Sequence, residues 1–415
     1  METFREAFHR LRGEQSLRDV ARLAHLNAGH LSRIAAGKRP PTQEMAAALD
    51  EALHTDGQLL ALVVPQRWEM DGGLWRPKDS ERLAAVIAGT TPTAENAIEL
   101  AHQWLTSEPP QVYEVRSGRR IGERTVREVE TRVHKLRLLD DHVGGTDTYT
   151  LVTDELDATN RLLKGAAYTE DVGRRLLVAV GELCQLSGWT SSDAGRYADA
   201  ERIYLAGVVA AHAGGDRAGA ANNLSSLAYQ VANIGDRREA ATLARSAYAG
   251  ARKDATATAR ALLAERVAWT AARTGEVGGA ERALGAVEEA YADRKPADDP
   301  AWVYWLDEDE IEIMAGRVWT QLRRPLRAVP ILEKATAGYG EDTGRETALY
   351  LTWLAESLAQ ANEPERAADA AARALRLARR AGSVRAADRV KLVRKQLAKF
   401  RGNAAVDAFE DEACA

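Results

Sequence analysis

The 415-residue sequence is poor in cysteine, proline and phenylalanine, with 2, 12 and 4 residues respectively. Cys184 and Cys414 lie far apart without metal-ligand spacing, which excludes a disulfide framework and a cysteine-based metal site. No apolar run is long enough to cross a bilayer. The first residues, METFREAFHRLRGEQ, lack the apolar core of a signal peptide. We therefore expect a cytoplasmic protein with two unpaired thiols and no membrane partner.

Catalytic motifs are also missing from the sequence. It contains no nucleophile elbow, phosphate-binding glycine loop, HExxH segment or clustered Cys/His ligands. The segments GGDRAG and GEVGGAERALG contain glycine, but they fall at turns between predicted helices and follow no strand. We expect a protein that is not an enzyme and needs no cofactor or metal.

The residues that are abundant favour helices. Alanine dominates and β-branched runs are few, so the sequence predicts an all-α fold. The net charge of −5 is unevenly spread, because eight basic and three acidic side chains lie between residues 5 and 40. That segment is therefore +5 and the remainder of the chain −10. A small basic head on an acidic body indicates that the head alone meets a polyanion.

The sequence of this N-terminal part, the head, predicts four helices, each with a capping residue at its start. The first runs from about Thr3 to Arg12 and ends at Gly13, a residue suited to a helix C-terminus. The second, third and fourth follow the N-cap candidates Ser16, Asn27 and Thr42. Short helices in this order are typical of DNA-binding modules.

The segment between the second and third helices predicts a helix-turn-helix. It has the small residue Ala21, a tight turn at His25 and the apolar residue Leu26. In these features and in the loop GKRPPT at 37–42, residues 4–62 resemble the Xre/Cro-repressor family. That family usually has glycine where His25 stands, and histidine tolerates a left-handed backbone less well. The resemblance implies that the third helix reads DNA, and that two heads bind half-sites one helical turn apart.

The resemblance also implies roles for individual residues of the third helix. Arg33 is expected to contact guanine with its two-pronged guanidinium. Ser32 and His30 would make adaptable contacts to bases or phosphates, while Ala28 and Gly29 would allow close approach. Phosphate contacts are expected from Arg18, Asn27, Lys38 and Arg39. The alternative is a helix-turn-helix used for protein contact alone, with these side chains solvated.

The predicted domains follow from composition. They are a helix-turn-helix domain at 1–64, a linker and connecting helices at 65–149, a repeat domain at 150–400 and a flexible tail at 401–415. The linker prediction rests on proline, Gly-Gly and charge within PQRWEMDGGLWRPKDS, residues 65–80.

The C-terminal part shows an internal repeat. Four windows carry small residues at intervals of 12 and then 7, with Val287 as the one exception. The anchors that begin these series are Ala228, Ala268, Gly316 and Ala355. Helices approach closely where side chains are small, so this spacing predicts antiparallel helix pairs stacked in series, an α-solenoid. The pattern resembles right-handed tetratricopeptide repeats, although its repeat is longer.

The resemblance implies a concave groove lined by the first helix of each pair. The polar and aromatic residues at its template positions are Asn222, Ser225, Tyr229, Asn233, Glu265, Trp269, Arg273, Glu310, Arg317, Gln321, Thr352, Glu356 and Gln360. This lining has no lysine and suits the backbone and termini of an extended peptide. Trp302, Tyr304 and Trp305 are a candidate pocket wall, for which a place in the core is the alternative.

The whole layout resembles peptide-sensing quorum receptors and, more closely, actinobacterial regulators with an Xre-type head and tetratricopeptide-like repeats. It implies a homodimeric transcription regulator that binds double-stranded DNA and whose repeats bind a peptide or other small effector. One alternative is an adaptor that recruits a protein through its repeats, with constitutive DNA binding or none. Another is a body that dimerises and senses nothing.

Overall fold

A computed structural model describes residues 3–39, 41–63, 68, 70, 72–90, 96–143, 145–337, 344–380 and 384–414. Within these ranges the chain forms twenty α-helices and four two-residue strands, so the predicted all-α fold is confirmed. The chain divides into two compact units, Met1–Asn223 (unit 1) and Leu224–Ala415 (unit 2). The border between the two units falls after Asn223, inside the predicted repeat domain, and the limits of the predicted domains stay predictions.

Unit 1 contains ten complete helices and the start of the eleventh. Their bounds are α1 Phe4–Arg12, α2 Leu17–Leu23, α3 Ala28–Ala35, α4 Gln43–Leu53, α5 Pro77–Ile87, α6 Ala97–Thr106, α7 Glu123–Val143, α8 Gly145–Gly165, α9 Glu170–Asp193, α10 Tyr197–Gly214 and α11 Arg217–Ile234. Short parallel strand pairs join β1 Leu74–Trp75 to β2 Gln111–Val112, and β3 Arg119–Arg120 to β4 Ala166–Ala167.

The first four helices begin where their capping residues predict. Thr3, Ser16, Asn27 and Thr42 each accept a hydrogen bond from a backbone N–H in the first turn of the helix that follows. Gly13 ends α1 with φ 54°, in the region that favours glycine. These side chains satisfy backbone donors that a helix start otherwise leaves without partners.

A small apolar core holds these helices together. Phe8, Leu31, Leu49 and Leu59 are buried in it and come from different segments. Asp50, buried at the end of α4, accepts the backbone N–H groups of Leu59 at 2.8 Å and Leu60 at 2.6 Å. Its carboxylate therefore fastens the segment after α4 to the domain.

The rest of unit 1 packs around the long pair α9 and α10. Gly188 lets the Tyr204 ring lie directly against α9, because a Cβ there would stand 2.6 Å from the ring. On the other side of α10, Arg202 donates to the carbonyl of Val86 at 2.6 Å and so ties α5 to the pair. In the predicted linker at 65–80, of which residues 65–67, 69 and 71 lie outside the described ranges, Trp68 and Trp75 are buried with stacked rings 6.1 Å apart.

Unit 2 contains the end of α11 and nine further helices. Their bounds are α12 Arg237–Ala251, α13 Ala257–Thr274, α14 Val277–Ala292, α15 Glu308–Gln321, α16 Pro325–Ala337, α17 Gly344–Gln360, α18 Pro364–Arg380, α19 Val384–Leu397 and α20 Ala404–Cys414. Short 3-10 turns occur at Pro296–Asp298, Ala301–Val303 and Ala398–Phe400.

Successive helix pairs make up unit 2, as the repeat predicts. Helix α13 packs on α14, α15 on α16 and α17 on α18, and the first helices of neighbouring pairs also contact one another. The repeated small residues lie where the helices cross: Ala268, Ala328 and Ala355 are completely buried. Gly316 faces Leu332, which a Cβ would approach to 2.6 Å. The arrangement is that of stacked pairs in an α-solenoid.

The flexible tail predicted for residues 401–415 requires correction over most of its length. Ala404–Cys414 form α20, which packs on α18 and buries Val406 and Phe409. Ion pairs from Arg376 to Glu412 and from Arg394 to Glu410 hold its outer side. Two apolar side chains three residues apart are enough to give this acidic segment one buried face.

Candidate functional sites

The turn between α2 and α3 has helix-turn-helix geometry. The N–H of Leu26 donates to the carbonyl of Ala21 at 2.7 Å, and Ala21 is buried where the helices meet. His25 adopts φ 52°, the left-handed conformation that the Xre-like pattern assigns to glycine. The departure from glycine therefore leaves the turn intact.

The nine predicted DNA-contacting residues lie on the outside of this domain. Eight are exposed and one, His30, is half-buried; the exposed residues are Arg18, Asn27, Ala28, Gly29, Ser32, Arg33, Lys38 and Arg39. On α3 itself, Leu31 and Ile34 point inward, which leaves Ser32 and Arg33 on the solvent face. The recognition-helix pattern thus gives one apolar face and one polar face.

The side chains of three of these residues, Asn27, His30 and Arg39, also have contacts within the domain. The side-chain oxygen of Asn27 accepts the N–H groups of Gly29 at 2.9 Å and His30 at 3.1 Å. A ring nitrogen of His30 lies 3.1 Å from the guanidinium of Arg39. Asn27 is therefore first a helix cap, and His30 holds Arg39 beside α3.

A second set of side chains meets inside unit 2. It contains one residue from each of five successive odd-numbered helices, α11 to α19, and we name it the arginine–aromatic cluster: Tyr229, Trp269, Arg317, Trp353 and Arg389. Arg317 donates to the Tyr229 hydroxyl at 2.6 Å. The guanidinium carbon of Arg317 lies 5.0 Å from the centre of the Trp269 ring and 5.4 Å from that of Trp353.

The two indoles of this cluster pack edge to face. Their ring centres are 5.7 Å apart with the planes perpendicular, a geometry that aromatic pairs prefer. Arg389 stacks on Trp353 at 3.5 Å and donates to the carboxylate of Glu356 at 2.5 Å. A cation above an indole face is attracted to the ring electrons, so the cluster holds several positive charges in a small space.

Several predicted groove residues adjoin this cluster. Arg273 donates to the carbonyl of Ala232 at 2.9 Å and to the Gln321 side chain at 3.1 Å. Thr352 is fully buried beside Arg389, while Gln360 donates to the carbonyl of Thr320 at 3.2 Å. Glu265 is buried and paired with Arg266 at 2.6 Å.

Other predicted groove residues lie away from the contacts of the cluster or have local partners. Asn222 and Ser225 are buried, and Asn233 is exposed, donating to the backbone carbonyl of Tyr229. Glu310 accepts a hydrogen bond from Tyr350. Burial raises the pKa of Glu310 to about 7 despite that bond. The repeat template therefore indicates which residues share one face of the stacked helices better than it indicates which of them contact one another.

Four important residues are missing from the sequence prediction of the groove: Arg266, Trp353, Arg385 and Arg389. Arg385 donates to the Tyr229 hydroxyl at 3.3 Å, and both Arg385 and Arg389 come from α19. The two arginines are four residues apart and share one face of this helix. Their spacing is the signal that the sequence offers.

The arginines change the acidity of the central phenol. Burial by itself would raise the pKa of Tyr229, but the positive charges of Arg317, Arg385 and Arg266 lower it to about 8. The pKa of Arg273 is lowered by burial and by the like charge of Arg237. Both shifts have the sign expected where positive charge is concentrated.

The candidate pocket wall has mixed exposure. Trp302 is buried in the turn before α15, Trp305 is half-buried and Tyr304 is exposed. The indole N–H of Trp305 donates to the carbonyl of Trp302 at 3.1 Å. A pocket here stays a prediction, and Trp302 has the burial of a core residue.

Comparison with known families identifies the N-terminal part. Residues 4–63 match the family described as helix-turn-helix domain. No curated protein matches the chain. The N-terminal part is therefore a helix-turn-helix domain, the fold of DNA-binding regulators. In the described portion no helix is long and apolar enough to cross a membrane, and no three His, Cys, Asp or Glu residues are grouped to hold a metal.

Proposed function

We propose that this protein is a sequence-specific DNA-binding transcription regulator whose unit 2 binds a peptide or other small effector. The observation that carries the proposal is the polar face of α3, where Ser32 and Arg33 are exposed on a helix whose other face is buried in the domain core. A helix of this kind fits the major groove, where arginine pairs with guanine through two hydrogen bonds.

The charge around α3 supports the same proposal. Arg18 lies on α2, while Lys38 and Arg39 lie just after α3, and all three are exposed. Positive side chains at both sides of a recognition helix suit the two phosphate backbones that border the groove. Affinity for DNA then comes largely from Arg18, Lys38 and Arg39, and preference for a base sequence comes from α3.

We further propose that the protein acts as a homodimer in the cytoplasm. One helix-turn-helix covers little duplex, and two heads on half-sites about one helical turn apart bind far more tightly than one. An effector that alters the spacing of the heads would change DNA affinity, since the duplex fixes the distance between half-sites.

The test begins by selecting a preferred duplex from random sequences with the full-length protein. Binding of that duplex and of a scrambled one is then measured by fluorescence anisotropy for the wild type, Arg33→Ala and a control, Arg22→Ala. Arg22 is exposed on α2 and lies outside the predicted contact set. Arg33→Ala is expected to reduce the preference for the selected duplex by roughly 10- to 100-fold while keeping weak binding to both.

Two results would contradict the proposal. One is a selection that yields no preferred sequence. The other is an Arg33→Ala variant that keeps the wild-type preference, which would favour the adaptor hypothesis. Mass measurement of the native complex tests the dimer separately, and a monomer on the selected duplex would reject it.

A further inference from the structure

Two arginines of unit 2 are buried or half-buried without a carboxylate partner among the described residues. Arg317, a residue that is 7% exposed, has one hydrogen bond within the described structure, to the Tyr229 hydroxyl. Arg273 bonds to a carbonyl and to the Gln321 amide oxygen. The neighbouring charges Arg266 and Arg389 form ion pairs, so these two guanidiniums carry the excess positive charge.

Both guanidiniums converge on the same indole. The guanidinium carbons of Arg317 and Arg273 lie 5.0 Å and 5.9 Å from the centre of the Trp269 ring. Contact with aromatic rings compensates part of the cost of removing a cation from water, but less than an ion pair does. The positive charges of Arg317 and Arg273 would therefore be stabilised further by an anion beside them.

Buried donors without acceptors mark the same place. In the described structure, Nε of Arg317, Nε of Arg266 and the indole N–H of Trp269 are buried and have no hydrogen-bond partner. Native proteins leave few buried donors in this condition, and a group of them indicates a missing acceptor. Nearby Arg273 and Gln321 are half-exposed, which gives the group a side that reaches solvent.

Nearby carboxyl groups meet this need only in part. Glu265 and Glu356 pair with Arg266 and Arg389, although the charge of Glu265 also acts on Arg317 and its Oε1 atom is buried without a hydrogen-bond partner. Glu310 is the further acid whose charge acts on Arg317, and burial raises its pKa to about 7, so near neutral pH it is only partly ionised. A bound anion would supply the negative charge that Arg317 and Arg273 lack as direct ion-pair partners.

We propose that Arg317 and Arg273, which both lie beside the indole of Trp269, bind an oxyanion of the effector, a carboxylate or phosphate. The guanidiniums supply charged donors in the paired geometry that oxyanions accept. This inference rests on the proposal that unit 2 binds an effector, and it specifies the chemistry of that effector.

The test uses three small probes with the full-length protein and no DNA. Benzoate and phenyl phosphate carry the two kinds of oxyanion on the same ring, while benzamide has the shape of benzoate without its charge. Titration calorimetry is expected to show binding of at least one anion and at least tenfold weaker binding of benzamide, because a charged donor discriminates by that factor. Comparison of the two anions shows which oxyanion the site prefers.

Variants locate the binding. Arg317→Met and Arg273→Met are each expected to weaken anion binding by about tenfold or more. Arg327→Met is the control, since Arg327 is an exposed arginine of the same unit paired with Glu281. Because Arg317 is buried, a loss of binding in Arg317→Met can also come from unfolding, so the half-buried Arg273 provides a second variant. Circular dichroism checks that each variant has folded.

The phenol of Tyr229 gives an independent readout. An anion bound to Arg317 removes part of the positive charge that favours the phenolate, so near-ultraviolet absorbance of the phenolate at about pH 8 is expected to fall on binding. Tyr229→Phe should lack this change while still binding the anion. A wild-type signal that Tyr229→Phe retains would place the anion elsewhere and overturn the inference.

The outcomes separate this inference from the proposed function. Equal binding of benzoate, phenyl phosphate and benzamide, or anion binding that both methionine variants retain, overturns the oxyanion site even if the protein reads DNA through Arg33. Anion binding that depends on Arg317 supports the site even if the DNA selection fails. Only a change in DNA affinity on adding the anion would support regulation through the site.

Discussion

The Leu26 amide donates to the Ala21 carbonyl at 2.7 Å and closes the turn that leads from α2 into α3. Between them His25 adopts φ 52°, a conformation that costs an L residue about 1 kcal/mol more than glycine. The packing of Ala21 and the capping of α3 at Asn27 therefore offset the backbone strain at His25. The strain makes the turn a sensitive point for substitution.

Replacing His25 tests this strain directly. His25→Gly is expected to stabilise the turn by roughly 0.5–1 kcal/mol, because the relief of strain exceeds the added freedom of the unfolded chain. His25→Val is expected to destabilise it by about 1 kcal/mol or more, since branched side chains resist this conformation. Hydrogen exchange at the Leu26 amide measures both effects. Slower exchange in His25→Val than in the wild type would contradict the account.

Asp50 fastens the end of the DNA-binding domain. Asp50→Asn removes the charge that accepts the N–H groups of Leu59 and Leu60 and is expected to cost about 2 kcal/mol. Faster hydrogen exchange at those two amides would show the loss. Asp56→Asn is the control, because Asp56 is exposed and has a left-handed backbone that asparagine also adopts. Equal exchange in both variants would mean that the Asp50 carboxylate does not fasten this segment.

Lys38 and Arg39 are expected to act through phosphates. If each contacts one phosphate, Lys38→Ala and Arg39→Ala should each reduce the slope of log affinity against log salt concentration by about 0.9, for preferred and scrambled duplexes alike. Lys391→Ala, an exposed lysine of unit 2, serves as control. A loss of affinity for the preferred duplex alone would instead assign these residues to base reading.

Local chemistry made the helix-turn-helix domain predictable. Ser16, Asn27 and Thr42 cap their helices through neighbours two or three residues away, so the short-range sequence contains the full interaction. The repeat was predictable for a related reason: close crossing of helices requires small residues such as Ala268 and Gly316 at regular intervals.

Contacts over long separations were harder to predict. The template position that follows each of the first three anchors is occupied by Tyr229, Trp269 and Arg317, which meet in the cluster. The template omits Trp353 and Arg389, which also belong to it. Arg389 joins the cluster because α19 packs on α17, which depends on tertiary contacts. The helical tail illustrates the same limit, since Val406 and Phe409 gain their burial from α18.

Glu310 is expected to make unit 2 less stable as pH rises. Its folded-state pKa of about 7 lies above the ordinary 4.5, so the stability it contributes is full below 4.5 and is lost as pH passes 7. Glu310→Gln should match the wild type at low pH and exceed its free energy of unfolding by about 3 kcal/mol at high pH. Urea unfolding of the wild type, Glu310→Gln and the exposed control Glu308→Gln measures the difference. Parallel pH profiles for the wild type and Glu310→Gln would exclude this role.

Two glycines of unit 2 should respond in opposite directions to the same change. At Gly316 in α15 a Cβ would stand 2.6 Å from Leu332, so Gly316→Ala forces the helix pair apart and is expected to destabilise by about 1–3 kcal/mol. At Gly285 in α14 no described atom lies within 4 Å, so Gly285→Ala gains helix propensity and should stabilise by about 0.5–1 kcal/mol. Thermal unfolding of both variants distinguishes close packing from helix propensity. Stabilisation by Gly316→Ala would show that α15 and α16 do not need a small residue where they cross.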